Sequence, residues 1–190
     1  MKILLLTITL LFTSNLLHAQ SINAPVYVNE GFFINGSILG AAWILDDLDI
    51  DTEAGAGIGL KIGYNFNANF GMFAALDVAS IEPDIGDSYL LGHFDLGVQG
   101  TFRTTEDRFR PFVRASLLGM SAQDDDVEIN GAGIGLGAGA LIFLSEKLAL
   151  DINYTHGLIN VSEFKIGSQS FDVDESATTG RFIIGLAYHF

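Results

Sequence analysis

Histidine is the residue whose presence here would most readily support catalysis. Hydrolysis or transfer of an acyl group needs a nucleophile beside a base, usually serine with histidine, and a carboxylate that orients the base. His156 lies on the apolar face of an alternating segment, but no serine occupies a neighbouring position of that face. Alternation places His93 and His189 on the opposite face, where ordinary hydrogen bonding is expected. The sequence therefore predicts no catalytic residues and no cofactor.

A run of alternating acids is the best candidate for metal binding. Asp47, Asp49, Asp51 and Glu53 have the spacing of the first ligands of a calcium loop. Such a loop needs glycine at its sixth position, and counting from Asp47 that position is Thr52. We therefore predict a solvated acidic loop without a specific metal site. Loose bridging of divalent cations to lipopolysaccharide phosphates is the alternative.

Isolated ions on the polar faces of the alternating segments form a third set. Its members are Lys61, Asp77, Asp95, Arg110, Arg114, Asp151 and Arg181. Charges inside a protein must be paired, because each otherwise costs several kcal/mol. Counting from the short turns places Lys61 diagonally across from Asp77 on the next strand. The same count predicts an Asp95–Arg114 pair.

Asp151 and Arg181 remain as a third, less direct pair, because a long connection separates them. Two functions fit such a set of inward charges, namely an ion-selective channel and a structural plug. Eight strands enclose an interior just wide enough for side chains to fill, which favours the plug.

The elements that position these residues are strands, because the hydrophobic pattern has a period of two. At the C-terminus Phe182, Ile184 and Leu186 share one face with Tyr188 and Phe190. Eight such segments follow one another at 30–44, 54–66, 69–81, 88–102, 109–122, 128–144, 147–158 and 176–190. Each is long enough to cross a bilayer as a tilted strand, and an even number suits a closed bacterial barrel.

Connections of two lengths alternate along the chain. The short ones are 67–68, 104–107 and 145–146, and the longer ones are 46–53, 82–87, 123–128 and 159–175. The longer ones contain most of the 23 carboxylates. Outer-membrane barrels have short periplasmic turns and longer external loops, so this pattern places the acidic charge outside the cell.

The N-terminus has the layout of a secretory signal peptide. Met1 and Lys2 precede an apolar run from Ile3 to Phe12, and the small residue Ala19 follows. We therefore predict a signal peptide over 1–19 and a single domain over 20–190. The chain has no cysteine and a net charge of −14, which excludes a disulfide framework and nucleic acid as a partner.

A soluble eight-stranded barrel, with its apolar face turned inward, is the main structural alternative. The exterior of such a barrel would be rich in charge, whereas the polar faces here consist mostly of Gly, Ala, Ser, Asn and Thr. Aromatic residues on the apolar faces also cluster near the short turns, as in an interfacial belt. These residues are Tyr64, Phe66, Phe70, Phe102, Phe109, Tyr188 and Phe190. The pattern favours an integral membrane barrel.

The leader, the eight strands and the ending from Arg181 to Phe190 resemble the small OmpA- and OmpX-like outer-membrane barrels. The resemblance covers the mature chain and implies an eight-stranded up-and-down barrel. It also implies that Leu186, Tyr188 and Phe190 form the signal recognised by the barrel assembly machinery. Since the chain ends with its last strand, the resemblance implies no peptidoglycan-binding domain.

The predicted function is a non-enzymatic, structural or surface-interaction role through acidic extracellular loops. A narrow porin-like channel is the alternative, and a lipid A-modifying enzyme is a third interpretation. Expected partners are outer-membrane lipid, lipopolysaccharide, the assembly machinery and an extracellular ligand of unidentified chemistry.

Overall fold

A computed structural model describes residues 26–27, 29–45, 53–83, 88–102, 106–124, 127–167 and 169–190. The predicted signal peptide and the acidic run at 46–52 lie outside these residues, so both remain predictions. No helix in the described part of the chain is long and apolar enough to cross a membrane.

Eight antiparallel strands form a closed ring in chain order. They are β1 Gly31–Leu45, β2 Glu53–Asn67, β3 Phe70–Ile81, β4 Tyr89–Thr101, β5 Phe109–Gln123, β6 Val127–Phe143, β7 Leu148–Ile166 and β8 Gln169–His189. β8 closes the ring by pairing with β1 from Ala177 to His189. The predicted all-β barrel of eight strands is thus confirmed, and closure leaves no edge within the membrane-spanning part.

Alternating burial follows from the sequence alternation. In β3, for example, inward residues such as Phe73 and Asp77 are buried, while Met72, Leu76 and Val78 face outward. A barrel exterior this apolar is stable only in contact with lipid, because a water-facing surface would be rich in charge.

The aromatic residues near the short turns point outward, as expected, and contact one another. The Phe66 and Phe70 rings are stacked with centroids 5.9 Å apart, and Phe32 joins the belt through an edge contact with Tyr64 at 4.9 Å. Such a belt marks the headgroup level of one leaflet. We assign this end of the barrel to the periplasm and the opposite end to the cell exterior.

The segment 159–175, predicted to be the longest loop, is instead a β-hairpin. β7 continues to Ile166, β8 begins at Gln169, and the turn contains Gly167 in a left-handed conformation with φ of 57°. The start of β6 pairs with this extension through Val127, which lies opposite Ile166. The connection predicted at 123–128 is also shorter, because β5 ends at Gln123 and β6 begins at Val127.

Candidate functional site in the barrel lumen

Arg181 on β8 lies at the centre of a buried charge layer inside the barrel. One of its terminal nitrogens donates to Asp77 at 2.7 Å and to Asp95 at 2.6 Å, and the other donates to Asp95 at 3.1 Å. Asp95 also accepts a hydrogen bond from Ser116 at 2.7 Å. The guanidinium therefore holds two carboxylates that come from the opposite side of the lumen.

Lys61 and Asp151 form the second ion pair, with Nζ 2.6 Å from a carboxylate oxygen. The amides of Asn35 and Asn153 each donate to the same carboxylate at 2.8 Å. Asp151 is thus neutralised by one cation and held by two further donors, as a buried carboxylate requires. The ammonium also lies 5.9 Å from the centroid of the Phe73 ring, in the range of a cation–π contact.

Arg114 completes the layer without a carboxylate at ion-pair distance among the described residues. Its guanidinium donates to the Thr155 hydroxyl and lies 5.7 Å from the centroid of the Phe73 ring. Gly137 on β6 makes this position possible. A Cβ there would lie 2.9 Å from Arg114 Nε and 2.9 Å from Thr155 Oγ1, so a larger residue would displace the guanidinium.

Arg110 lies apart from this layer, near the periplasmic end. Its guanidinium stacks 4.4 Å from the Phe143 ring centroid and donates to the backbone carbonyls of Asp107 at 2.9 Å and Tyr27 at 3.1 Å. Tyr27 in turn packs against Phe143, with ring centroids 5.3 Å apart. These groups pack together at the periplasmic mouth of the barrel.

The structure buries all seven predicted lumen ions but pairs them differently. Lys61 contacts Asp151 instead of Asp77, and Asp95 contacts Arg181 instead of Arg114, so both predicted pairs are wrong. The Asp151–Arg181 pair is wrong for the same reason. Adjacent strands are not the relevant neighbours in a narrow barrel, because long side chains reach across the lumen.

Apolar side chains fill the lumen on both sides of the charge layer. The extracellular half contains one cluster of Leu39, Ala41, Trp43, Ala79, Ile81, Leu91, Leu118, Met120, Ala122, Ile159, Val161, Ala177 and Ile183. The periplasmic half contains Phe112, Leu141, Phe143 and Ala149, and a smaller group of Phe33, Phe73 and Ala75. The cavity within the charge layer is about 10 Å³, room for about one water molecule.

A lumen packed with side chains inside a lipid-facing exterior is the architecture of a small outer-membrane barrel. The model of the outer membrane protein beta-barrel domain family matches residues 4–190. The chain belongs to this family. Proteins of this family are integral to the bacterial outer membrane, and that is the location of this barrel.

Solved structures of other barrels share the fold. Neisserial surface protein A superposes with a TM-score of 0.65 at 16% identity, covering 85% of this chain and 98% of that one. Ail, the attachment invasion locus protein of Yersinia pestis, has a TM-score of 0.56 at 16% identity and covers 85% and 99%. OprG of Pseudomonas aeruginosa has a TM-score of 0.54 at 14% identity, covering 88% of this chain and 100% of that one. No curated protein sequence matches.

Trp43 on β1 of this outer-membrane barrel lies inside the lumen and not on the lipid-facing surface. Its place in the sequence, close to the longer connection 46–53, suggests an anchor at the membrane interface, but it faces the lumen and donates from Nε1 to the Tyr89 hydroxyl at 2.5 Å. Its odd position in β1 matches that of the buried Asn35, and this parity was the available signal.

The histidines occupy the faces that alternation assigned to them. His93 is buried and lies 3.1 Å from the Thr179 hydroxyl, and His189 is buried beside the Phe33 ring, while His156 faces lipid. Among the described residues no three metal-ligating side chains come together.

The extension of β6, β7 and β8 carries a polar network on the outward surface of this outer-membrane protein. Lys165 lies 3.0 Å from Glu163 and 3.6 Å from Glu128. Glu163 also accepts from Ser170 at 2.8 Å and from Asn130 at 3.2 Å. These contacts link all three strands beyond the membrane.

The ammonium of Lys165, with the Ser170 and Asn130 donors, lowers the pKa of Glu163 below its ordinary value. A depressed pKa means that the contact is complete above the ordinary glutamate range and is lost as pH falls through the lowered value. We expect a carboxyl NMR titration to show this lowered pKa, and Lys165→Met to raise it. Lys147→Met, at the periplasmic end, should leave it unchanged. An unaltered titration in Lys165→Met would contradict the assigned contact.

Proposed function

We propose that this protein is a sealed outer-membrane barrel that acts through its extracellular surface and conducts neither ions nor solutes. Its role is to support outer-membrane integrity or to contact the surroundings, with lipopolysaccharide and an extracellular ligand as partners. The barrel assembly machinery is its proposed partner during insertion.

The filled lumen is the observation that carries this proposal. A conducting barrel needs a continuous file of water, but apolar clusters lie above and below the charge layer. All three lumen carboxylates form ion pairs, as in the contacts of Arg181 with Asp77 and Asp95. Salt-bridged side chains between two apolar clusters act as a plug, because breaking the ion pairs would leave several buried ions without a partner. These contacts favour the sealed barrel over the narrow-channel alternative.

The extracellular extension supplies a surface suited to contact. Cross-strand pairing places Ile129, Phe164 and Phe171 on one face of the extension. On this face Ile129 packs against the apolar cluster in the extracellular half of the lumen. The opposite face carries Glu128 and Glu163. The extension is thus apolar toward the barrel axis and acidic toward the outside, on a rigid strand framework of the kind on which binding surfaces are commonly built.

Among the described residues, no nucleophile paired with a base supports the enzyme alternative. His156 is the one histidine on the lipid-facing side of the described strands, and the residues directly opposite it are Leu136 and Gly180. Neither can serve as a nucleophile or orient the imidazole. Expression of the protein should therefore leave the mass spectrum of lipid A unchanged.

Binding of a cationic probe to intact cells tests the surface role. We expect cells that express the protein to bind more cytochrome c, a basic protein, than cells that lack it, with a difference that falls as salt is raised. Changing the exposed acids of β8 with Asp172→Asn, Asp174→Asn and Glu175→Gln should reduce this difference.

The matched control changes two acids at the periplasmic end, Glu106→Gln and Glu146→Gln, which are not expected to reach the external probe. Equal loss of probe binding in both variants, or no loss in the β8 variant at equal surface expression, would contradict the proposal. An altered lipid A spectrum would instead favour the enzyme.

A further inference from the structure

A groove of about 660 Å³ lies at the periplasmic rim of the barrel. The β6–β7 turn forms one wall with Leu144 and Lys147, and Arg108, Tyr27 and Tyr188 line the rest. Leu144 and Tyr188 are 49% and 42% exposed on the lipid-facing side, so the groove continues directly from the hydrocarbon surface. Whatever occupies it must have an apolar part toward the membrane and a polar part toward the periplasm.

Hydrogen bonds attach Arg108 and Lys147 to the neighbouring strands. Arg108 Nε donates to the Phe143 carbonyl at 2.5 Å, and the Phe143 amide donates back to the Arg108 carbonyl at 2.9 Å. The Lys147 carbonyl accepts from the His189 amide at 2.8 Å. These bonds fix the Arg108 side chain to β6 and the Lys147 backbone to β8, so the Lys147 ammonium extends from an ordered position of the rim.

The charged ends of these residues remain available. Within the described chain no carboxylate lies at ion-pair distance from Arg108 or Lys147. Glu146 also lines the groove, so its three charged side chains together have a net charge of one positive unit. This is a local reversal in a chain whose net charge is −14. A guanidinium and an ammonium above an apolar wall match a phosphate that is attached to acyl chains.

We propose that this groove binds the phosphate headgroup of an anionic phospholipid from the periplasmic leaflet. Arg108 and Lys147 contact the phosphate, while Leu144 and Tyr188 pack against the upper part of the acyl chains. The site thereby fixes the depth of the barrel in the membrane at its periplasmic end. The inference rests on the membrane location and is independent of the proposed surface role.

Native mass spectrometry of the mature protein, released from micelles with equal phosphatidylglycerol and phosphatidylcholine, tests this directly. We expect phosphatidylglycerol adducts to exceed phosphatidylcholine adducts by about tenfold. Arg108→Gln with Lys147→Gln should bring the two to parity, and Glu146→Gln should increase the preference. Lys165→Gln, which removes a cation at the other end of the barrel, is the matched control and should change nothing.

Heat-modifiable migration verifies that each variant is folded. If the double variant does not fold, Lys147→Gln alone replaces it and should lower the preference for phosphatidylglycerol. Parity between the lipids in the wild type would overturn the proposal, as would an equal loss in Lys165→Gln. A preference that emerges only after deletion of residues 20–25 would also overturn it, since the chain itself would then be the native occupant.

Discussion

Replacing Arg181 with methionine is expected to destabilise the folded barrel by about 3 to 5 kcal/mol. The change leaves Asp77 and Asp95 buried near each other without their shared cation. Lys61→Met is the matched comparison and should cost less, because Asp151 keeps the amide donors of Asn35 and Asn153. Urea unfolding in detergent micelles measures both losses.

Neutralising the whole triad should restore much of this stability. In the triple variant Arg181→Met with Asp77→Asn and Asp95→Asn, no unpaired charge remains and the desolvation cost of three ions disappears. Near-neutral stability of Arg181→Met would show that these carboxylates are solvated, and the lumen would then hold water instead of a plug. The comparison of single and triple variants therefore shows whether the stability loss comes from carboxylates left buried without a cation or whether these carboxylates are solvated.

Deleting Phe190 is expected to leave export intact and to block most insertion, so that unfolded chain accumulates in the periplasm. In the folded barrel its amide donates to the Phe32 carbonyl at 3.0 Å, and its ring packs 5.2 Å from that of Tyr188. The ring is 64% exposed on the outward face, so it packs against few other protein atoms. We propose that its main role is recognition during assembly, together with Leu186 and Tyr188, which also face outward.

Phe102→Ala is the control for the loss of one aromatic ring from the belt. Phe102 is 54% exposed at the same end of the barrel but lies outside the terminal strand. It should insert almost as well as the wild type, as judged by heat-modifiable migration of membrane fractions. Equal insertion of the two variants would contradict a terminal assembly signal.

Strand positions could be predicted because period-two alternation is a local property of the sequence. β3 and β4, for instance, begin and end within one residue of the segments predicted at 69–81 and 88–102. The inward face of each strand followed from the same alternation, since a slip of one residue would expose every buried side chain.

The partners of the lumen ions could not be predicted in this way. Sequence counting gives neighbours on adjacent strands, but Lys61 on β2 reaches Asp151 on β7, and Arg181 on β8 reaches Asp95 on β4. These contacts depend on the barrel diameter and on the stagger of all eight strands, which are properties of the closed ring.

The length of the last hairpin was missed because acidic residues outweighed a strand signal. Asp172, Asp174 and Glu175 indicated a loop, yet Val161 and Ile166 are β-branched and continue the strand character of β7. Charge on a strand is tolerated there because the extension lies beyond the membrane, where its outward face meets water.

Single-channel recording in planar bilayers tests the sealed lumen most directly. The purified mature barrel should insert without discrete conductance steps, because apolar clusters close the lumen above and below a charge layer whose cavity is only about 10 Å³. The Arg181→Met variant, checked for folding, should remain silent as well, since the clusters that contain Leu91 and Phe143 are unchanged. Reproducible steps in the wild type, with ion selectivity that shifts in the variant, would contradict the plug and establish a channel.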